Sequence, residues 1–521
     1  MWSQVSDYRE KGLTNAARLE CNFVPVVAYM EWCGVKLDEN KWREKMKKDE
    51  EHLKESIEAL NAFIIKTPAL KEFVYIDNQG DLFSGFDSTP KVNINWASPI
   101  VTKVFKLLGF NVNIVDKKSG EEKESAMEKV LKGQKGINDE FLRLYFGHGE
   151  EGEEDYFPGY SGSAKVVTSF GKGHLNSINP ITGRIHTTFK QLGAASGRMS
   201  CGSTQSDEDL EHYKKLPKGS CKSPNLQQLP HDAETRSCFV AEEGNYWISC
   251  DWSAAEARLA GDIYNDQAVK DIFLKGIDSH SMYAKIFFKE ELKNIDVHDV
   301  KKLRPDLRQL AKGPEFALNF GGGIPAIMSS IQCSKEEAEQ ILKNYEDGFK
   351  GTTEFAKKGS KFVKENGYVL MNPITGHKMY WWDWKHWKEI QQKYNDPSWS
   401  WETYRLYHKD TGDAINMEVK NQFKAASKWD RMARNAPTQG TCSVMLKHSQ
   451  INIFNWVVDN GYFGIIKLCT LVHDECNWEC PKDKAEWFGS FVKKQMEDAA
   501  AVYCKSLPIP ADVSIDTHWV H

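Results

Sequence analysis

The sequence predicts an α+β fold, with strands and helices in separate stretches rather than alternating. Three observations carry that reading. Strand and turn signals dominate residues 174–260 and return over 464–480 and 511–519. Helix-forming sequence fills 254–363 and resumes over 413–459. Before residue 160 the chain reads as helices joined by polar loops. Its 521 residues suffice for several packed units. A composition of 40% hydrophobic and 27% charged residues is that of an ordinary globular chain.

The elements follow in order. Residues 18–35 form an apolar-faced helix closed by Gly34. Residues 39–64 form a long amphipathic helix whose Lys and Glu residues alternate in sign, as on a solvated face. The stretch 76–98, rich in Gly, Asn, Asp and Ser, reads as loop. A short helix covers 101–108, and 115–124 is a charged loop. Gly- and acid-rich sequence over 148–164 puts a boundary near 160. The turn Asn179-Pro180-Ile181-Thr182-Gly183 leads into a strand from Arg184 to Phe189. The similar Asn372-Pro373-Ile374-Thr375-Gly376 is shared hairpin chemistry, not a repeat. Residues 380–401 are dense in Trp and Tyr. Such rings can stack single-stranded bases, but packing is the expected role.

Bulk properties narrow the class. A formal net charge of -5 gives no global basic field, so a phosphate-binding surface must come from local Lys and Arg clusters. Twelve cysteines without a framework spacing point to reduced thiols. No run reaches membrane-spanning length, and Met1-Trp2-Ser3-Gln4 lacks a signal-peptide layout. The expectation is a cytoplasmic protein with no membrane partner.

Chemistry concentrates in three segments. Tyr246 to Cys250 has strand composition and Ala254 onward is helical, so Asp251 sits at a strand's end. An acid there can cap a helix, and Ser253-x-x-Glu256 has the form of a capping box. His473-Asp474-Glu475 lies between two strand-like runs, with Asp474 at the tip of a tight hairpin. Alone, that is turn chemistry. Together, the two acids could bridge two Mg²⁺ ions roughly 3.5–4 Å apart. Mg²⁺ suits such a site because it takes a few carboxylates plus phosphate oxygens.

Arg308, Lys312, Phe316 and Phe320 recur every four residues and form one stripe on a helix. Two cations followed by two rings match a nucleoside triphosphate, phosphates first and sugar and base after. The bland alternative is a core Phe face with solvated cations. Pro314 kinks helices, and a bent but continuous helix is expected. Gly321-Gly322-Gly323 reads as that helix's end. The Cys and His residues lack a clean zinc spacing, and Cys476 and Cys480 read as core.

At these residues the chain resembles family A DNA polymerases. Asp251 to Arg258 is similar to the first palm motif, Arg308 to Gly321 to the fingers-helix motif, and Val472 to Glu475 to the last palm motif. Thr187 to Arg198 with Pro224 to Gln227, Asp278-Ser279-His280, and Arg431 with Asn435 to Thr441 supply further matches. The resemblance implies a right-hand polymerase fold, with an antiparallel palm sheet and helical fingers and thumb. It implies an N-terminal segment over 1–35, a thumb over 36–160, and palm over 161–258 and 431–521. Fingers would cover 259–430, with an aromatic-rich insertion over 380–401. A further insertion is expected over 202–222.

The resemblance also implies roles. Asp251, Asp474 and the Trp252 carbonyl hold two Mg²⁺ ions, with Mn²⁺ able to substitute. Arg308, Lys312 and His280 meet the triphosphate, and Lys312 protonates the leaving pyrophosphate. Glu256 excludes a 2′-hydroxyl. Phe316 lies near the sugar's 3′ edge and Phe320 at the template side. Phe320 stands where most relatives carry Tyr, removing a hydroxyl with consequences for fidelity. Arg198, Gln227, Arg431, Asn435, Gln439, His473 and Glu475 contact primer and template, and Lys-rich parts of 36–72 touch phosphates nonspecifically. Primer–template DNA and deoxynucleoside triphosphates are the expected partners.

The chain begins where the family's exonuclease domain normally ends. The expectation is addition without proofreading in this chain: it is a polymerase fragment, or proofreading belongs to another polypeptide, or proofreading is absent, with a separate exonuclease or processivity factor as a candidate partner. Gly313-Pro314 suggests a phage-type member acting in host cytoplasm. Two rivals stay open: a single-subunit RNA polymerase and a non-catalytic primer–template binding protein.

Overall fold

The structure is a computed structural model that describes residues 8–76, 90–96, 99–115, 122–131, 134, 137–149, 156–202, 223–319, 321–394 and 413–520. These residues divide into two compact units. One comprises Leu37–Ile178, and the other comprises the chain up to Lys36 together with the residues from Asn179 onward.

The chain's first long helix, α1 (Thr14–Cys33), belongs to the larger unit. Its last turn closes with the Gly34 amide donating to the Met30 carbonyl at 3.0 Å. The smaller unit is built on α2 (Glu39–Lys66). Asp38 starts that helix by accepting from the Asn40 and Lys41 amides at 3.0 and 3.1 Å. Helix α3 (Gly159–Ser169) packs along α2. Leu60, Ile64, Trp96, Phe105, Phe141 and Tyr160 share one apolar core.

Three expectations shift here. Position 160 is no boundary, because Tyr160 belongs to this core and the unit continues to Ile178. Within the expected loop over 76–98, Pro90–Val92 is a strand, paired with Val74–Ile76. Within the charged loop expected over 115–124, Glu122–Glu124 is likewise a strand, paired with Asn113–Val115. Val74-Tyr75-Ile76 and Ile114-Val115 favour strands, whereas Pro90-Lys91 and Glu122-Lys123-Glu124 do not, so composition alone hid these pairs. Residues 77–89 and 116–121, which join the two pairs, lie outside the described residues.

The larger unit centres on a four-stranded antiparallel sheet. Its strands are β1 (Asn245–Trp252), β2 (Lys467–Val472), β3 (Glu475–Pro481) and β4 (Ala511–Asp516), in spatial order β2-β3-β1-β4. Trp247, Ile248, Cys250 and Trp252 of β1 are buried, as are Cys476, Trp478 and Cys480 of β3. The β1 strand therefore reads as the near-continuous apolar run of a central strand. Between Arg184 and Lys190 the single expected strand is two short ones, Arg184–Ile185 and Phe189–Lys190.

Helices carry the rest: α4 (Ala255–Ile263), α5 (Ser279–Phe287), α6 (Pro305–Asn319), α7 (Asp413–Asp459) and α8 (Ala485–Tyr503) among them. Helix α6 runs through Pro314 unbroken. It ends in a Schellman turn, with the Gly322 amide donating to the Ala317 carbonyl at 2.8 Å and the Gly321 amide to Leu318 at 3.0 Å. Gly321 supplies the left-handed residue this turn needs, at φ 79°.

Helix α7 is 47 residues long. The Asn372 side chain ties it to the hairpin strand Tyr368–Asn372, donating to Thr441 at 3.0 Å. In the aromatic block, Trp381 and Trp387 are buried and Trp381 stacks on Trp429 at 5.5 Å, so packing explains these two. Trp382 is exposed. Residues 395–401 of the block, and 203–222 of the other expected insertion, lie outside the described residues.

Candidate active site

The sheet brings two of the three motif segments to one end. Val472 pairs with Glu475, so His473 and Asp474 form a two-residue hairpin loop. His473 adopts a left-handed φ of 56°, which His, Asn and Asp tolerate better than most residues. Glu475 pairs with Asp251, and Asp512 pairs with Asp251 from the other side. Asp474 thus immediately precedes the strand beside Asp251. Asp512 is a further acid at this edge that the sequence reading missed, although its expected strand over 511–519 carried it.

Asp251 is electrostatically strained. Its carboxyl is pushed up to about 7, first by burial and then by the negative charges of Asp474 and Glu475, with Asp512 adding to them and the Trp252 backbone opposing. Its Oδ1 atom is buried with no hydrogen-bond partner among the described residues. A buried carboxylate oxygen left this way is costly, and a cation would relieve both the desolvation and the repulsion. The donor set therefore fits a divalent metal. No group of three or more His, Cys, Asp or Glu residues able to hold a metal occurs among the described residues. Asp251 and Asp474 would have to share coordination with substrate oxygens and water, which is how Mg²⁺ is usually bound.

Glu475 departs from expectation. It was expected to contact primer or template, but its side chain is buried. Its Oε1 accepts from the Trp519 indole at 2.6 Å, and Oε2 faces the Arg236 guanidinium at 3.4 Å. Arg236 lies over the Trp519 ring at 4.6 Å. With both oxygens engaged inside the protein, Glu475 braces the hairpin.

The capping box also fails to form. Ala254, not Ser253, is the N-cap of α4, in a left-handed conformation at φ 52° with no side-chain cap bond. Glu256 is instead free to pair with Arg198. Arg198, Gln227 and His473 line one narrow cleft. Gln227 is held there by donating to the Leu471 carbonyl at 3.0 Å.

On α6, Arg308, Lys312 and Phe316 fall on one face. Phe316 is 70% exposed. Phe320 lies outside the described residues. Lys312 is half-buried and makes no hydrogen bond or ion pair with the described residues. Arg308 is engaged by a residue whose role the motif did not reveal. Asp278 receives two parallel bonds from its guanidinium, at 2.7 and 2.8 Å. These bonds are the chief reason the Asp278 carboxyl is held well below the usual carboxylate range. His280 is likewise tied to α6, its Nδ1 lying 2.6 Å from Glu315. Glu315 also went unnoticed in the sequence. The available signal was its position three residues beyond Lys312 and seven beyond Arg308, on the flank of the same stripe.

Arg431, Asn435 and Gln439 follow one another every four residues on α7. Arg431 is exposed, and Asn435 and Gln439 are half-buried. Arg431 lines a cleft together with Gly321 and Gly322 at the end of α6. Cys476 and Cys480 are fully buried in β3. No described helix is long and apolar enough to cross a membrane.

Comparison with known proteins gives a consistent answer. The sequence profile for DNA polymerase family A matches residues 218–521. DNA polymerase I of Caldicellulosiruptor bescii is 26% identical over 359 residues, covering 68% of this chain and 34% of that protein. The thermostable DNA polymerase I of Thermus aquaticus is 26% identical over 347 residues, covering 66% and 33%. The chain spans about a third of the length of these relatives. Among solved structures, the POL domain of Pol1 from M. smegmatis, in complex with DNA primer-template and dNTP, superposes with a TM-score of 0.66 at 20% identity. That match covers 96% of this chain and 70% of the other, and gives the fold.

Proposed function

The chain belongs to DNA polymerase family A, and from that premise we propose that it adds deoxynucleotides to a primer 3′-hydroxyl under the direction of a DNA template. The observation that carries the proposal is the buried, unpartnered Oδ1 of Asp251, with the Asp474 and Glu475 charges beside it. Such an arrangement is unfavourable unless a cation joins it.

Asp251 and Asp474 would hold two Mg²⁺ ions, with the Trp252 carbonyl as a further ligand. When bound, the ions lower the pKa of the attacking hydroxyl and neutralise charge on the triphosphate. Lys312, which makes no hydrogen bond or ion pair with the described residues, is a cation available to a phosphate, and its ammonium can give a proton to the leaving pyrophosphate. Arg308 uses only part of its five-donor fork on Asp278, so donors remain for phosphate oxygens. Phe316, 70% exposed, supports a sugar or base with its ring. Arg198, Gln227 and His473 around one cleft suit the primer side, and Arg431, Asn435 and Gln439 suit the template side. Primer–template DNA and deoxynucleoside triphosphates are the partners proposed, as in the M. smegmatis complex.

The test is extension of a labelled primer. Asp474→Ala should abolish extension while duplex affinity stays within about twofold of the parent. Ordinary extension by that variant would end the proposal. The rival RNA polymerase reading is separated by Glu256. Glu256→Ala should admit ribonucleotides that the parent rejects, and equal ribonucleotide use by the parent would favour the rival. The proposal covers addition alone, and mononucleotide release from single-stranded DNA would contradict that part.

A further inference from the structure

We infer that Glu315 is the positioning residue that aims His280 at the incoming triphosphate, an inference that rests on the polymerase reading above. Glu315 sits on α6, 9% exposed as a residue. A carboxylate so placed needs partners for both oxygens. It finds them in the first turn of α5. The Ser279 hydroxyl donates to Oε1 at 3.0 Å, and His280 Nδ1 lies 2.6 Å from Oε2.

A carboxylate only accepts, so Nδ1 carries the hydrogen in this pair. The other ring nitrogen, Nε2, is left as the atom for a ligand. The exposures agree with that division: the Glu315 side chain is 12% exposed and the His280 side chain 36%. The buried carboxylate holds the ring, and the more exposed imidazole is the part a ligand can reach. A phosphate oxygen that meets Nε2 is bound by the imidazolium, and Glu315 balances that charge from the far side of the ring.

A reciprocal tie strengthens the case. Asp278, next to Ser279 at the start of α5, clamps Arg308 of α6, while Glu315 of α6 clamps His280 of α5. Two carboxylates thus cross between the same two helices in opposite directions. Each fixes one of the groups assigned to the triphosphate, and both groups are held before any nucleotide arrives.

Single-nucleotide incorporation separates this role from a merely structural one. Glu315→Ala should raise KM for the deoxynucleotide about tenfold, the worth of one charge-assisted hydrogen bond, with kcat and duplex affinity within about twofold. Glu315→Gln retains an acceptor for Nδ1 and packs in the same space, so its KM should rise only about threefold. In a His280→Ala background neither substitution should raise KM further. The inference is overturned if Glu315→Ala keeps its full effect in that background. It is equally overturned if His280→Ala raises KM while both Glu315 variants behave as the parent. Should Glu315→Ala fail to fold, Glu315→Gln with and without His280→Ala decides the question. A parent chain that extends no primer would defeat the polymerase reading itself. A parent that extends primers, with His280→Ala unchanged in KM, would defeat only the present inference.

Discussion

Replacing Asp251 with Asn should make the metal-free protein more stable and catalytically dead. The folded chain keeps this carboxyl protonated up to about 7, against an ordinary value of 3.8, chiefly because it is buried and because Asp474 and Glu475 lie close. The unfolded chain releases the same proton well before that. Stability is therefore unaffected by this group below about pH 3.8. It falls as pH rises from there to about 7, and stays low above. Each pH step in that gap is worth about 1.4 kcal/mol, giving on the order of 4 kcal/mol before screening by solvent at this part-exposed carboxyl. About 2 kcal/mol is a sound expectation. Asn fills the same space without the charge. Urea unfolding in chelator should show the variant ahead by about 2 kcal/mol at pH 8 and level with the parent near pH 4. Millimolar Mg²⁺ should then stabilise the parent and not the variant, since only the parent offers the carboxylate. A parent as stable as Asp251→Asn at pH 8 in chelator would refute the reasoning.

Three further outcomes can be checked alongside. Glu475→Ala leaves Arg236, 2% exposed, without its countercharge, so urea unfolding should show a loss of about 3–5 kcal/mol; a loss under about 1 kcal/mol would mean Glu475 is not the brace described. His174 is buried against Trp42 with both ring nitrogens unpartnered, and burial lowers its pKa to about 4. Because the unfolded ring takes a proton first, acidification from pH 6.5 to 4 should cost about 3 kcal/mol, and His174→Phe should remove that slope; parallel pH profiles would contradict this. Phe316→Tyr places a hydroxyl on an exposed ring of the α6 stripe and should raise use of dideoxynucleotides several-fold in a primer-termination assay; unchanged selectivity would show that Phe316 does not face the sugar.

The features that were readable in the sequence are those set by neighbours along the chain. The strand–turn–strand over 465–480 carries its own alternation and turn residues, so the Asp474 hairpin could be placed. The four-residue stripe on α6 survives Pro314 because helical phase is local. What escaped depends on distant partners. Glu475 resembles its neighbour Asp474 in sequence, yet Arg236 and Trp519, 239 and 44 residues away, draw it inside. Asp278 and Glu315 could not be matched to Arg308 and His280 without knowing that α5 and α6 lie together. The box at Ser253 was misread because the chain turns at Ala254 with a positive φ that an alanine codes poorly. The boundary near 160 was misplaced because Gly- and acid-rich residues run up to a helix whose Tyr160 belongs to the smaller core.

The length of α7 has a consequence for how this protein can change. At 1.5 Å per residue its 47 residues make a rod of about 70 Å. Arg431, Asn435 and Gln439 keep a common bearing because they are counted off at four-residue steps along this one helix, which continues through Pro437. Losing a single residue between them would swing everything downstream by about 100°, whereas losing seven would nearly restore the phase. Drift in length is therefore closed to this stretch, and tolerated size variation must collect in the loops.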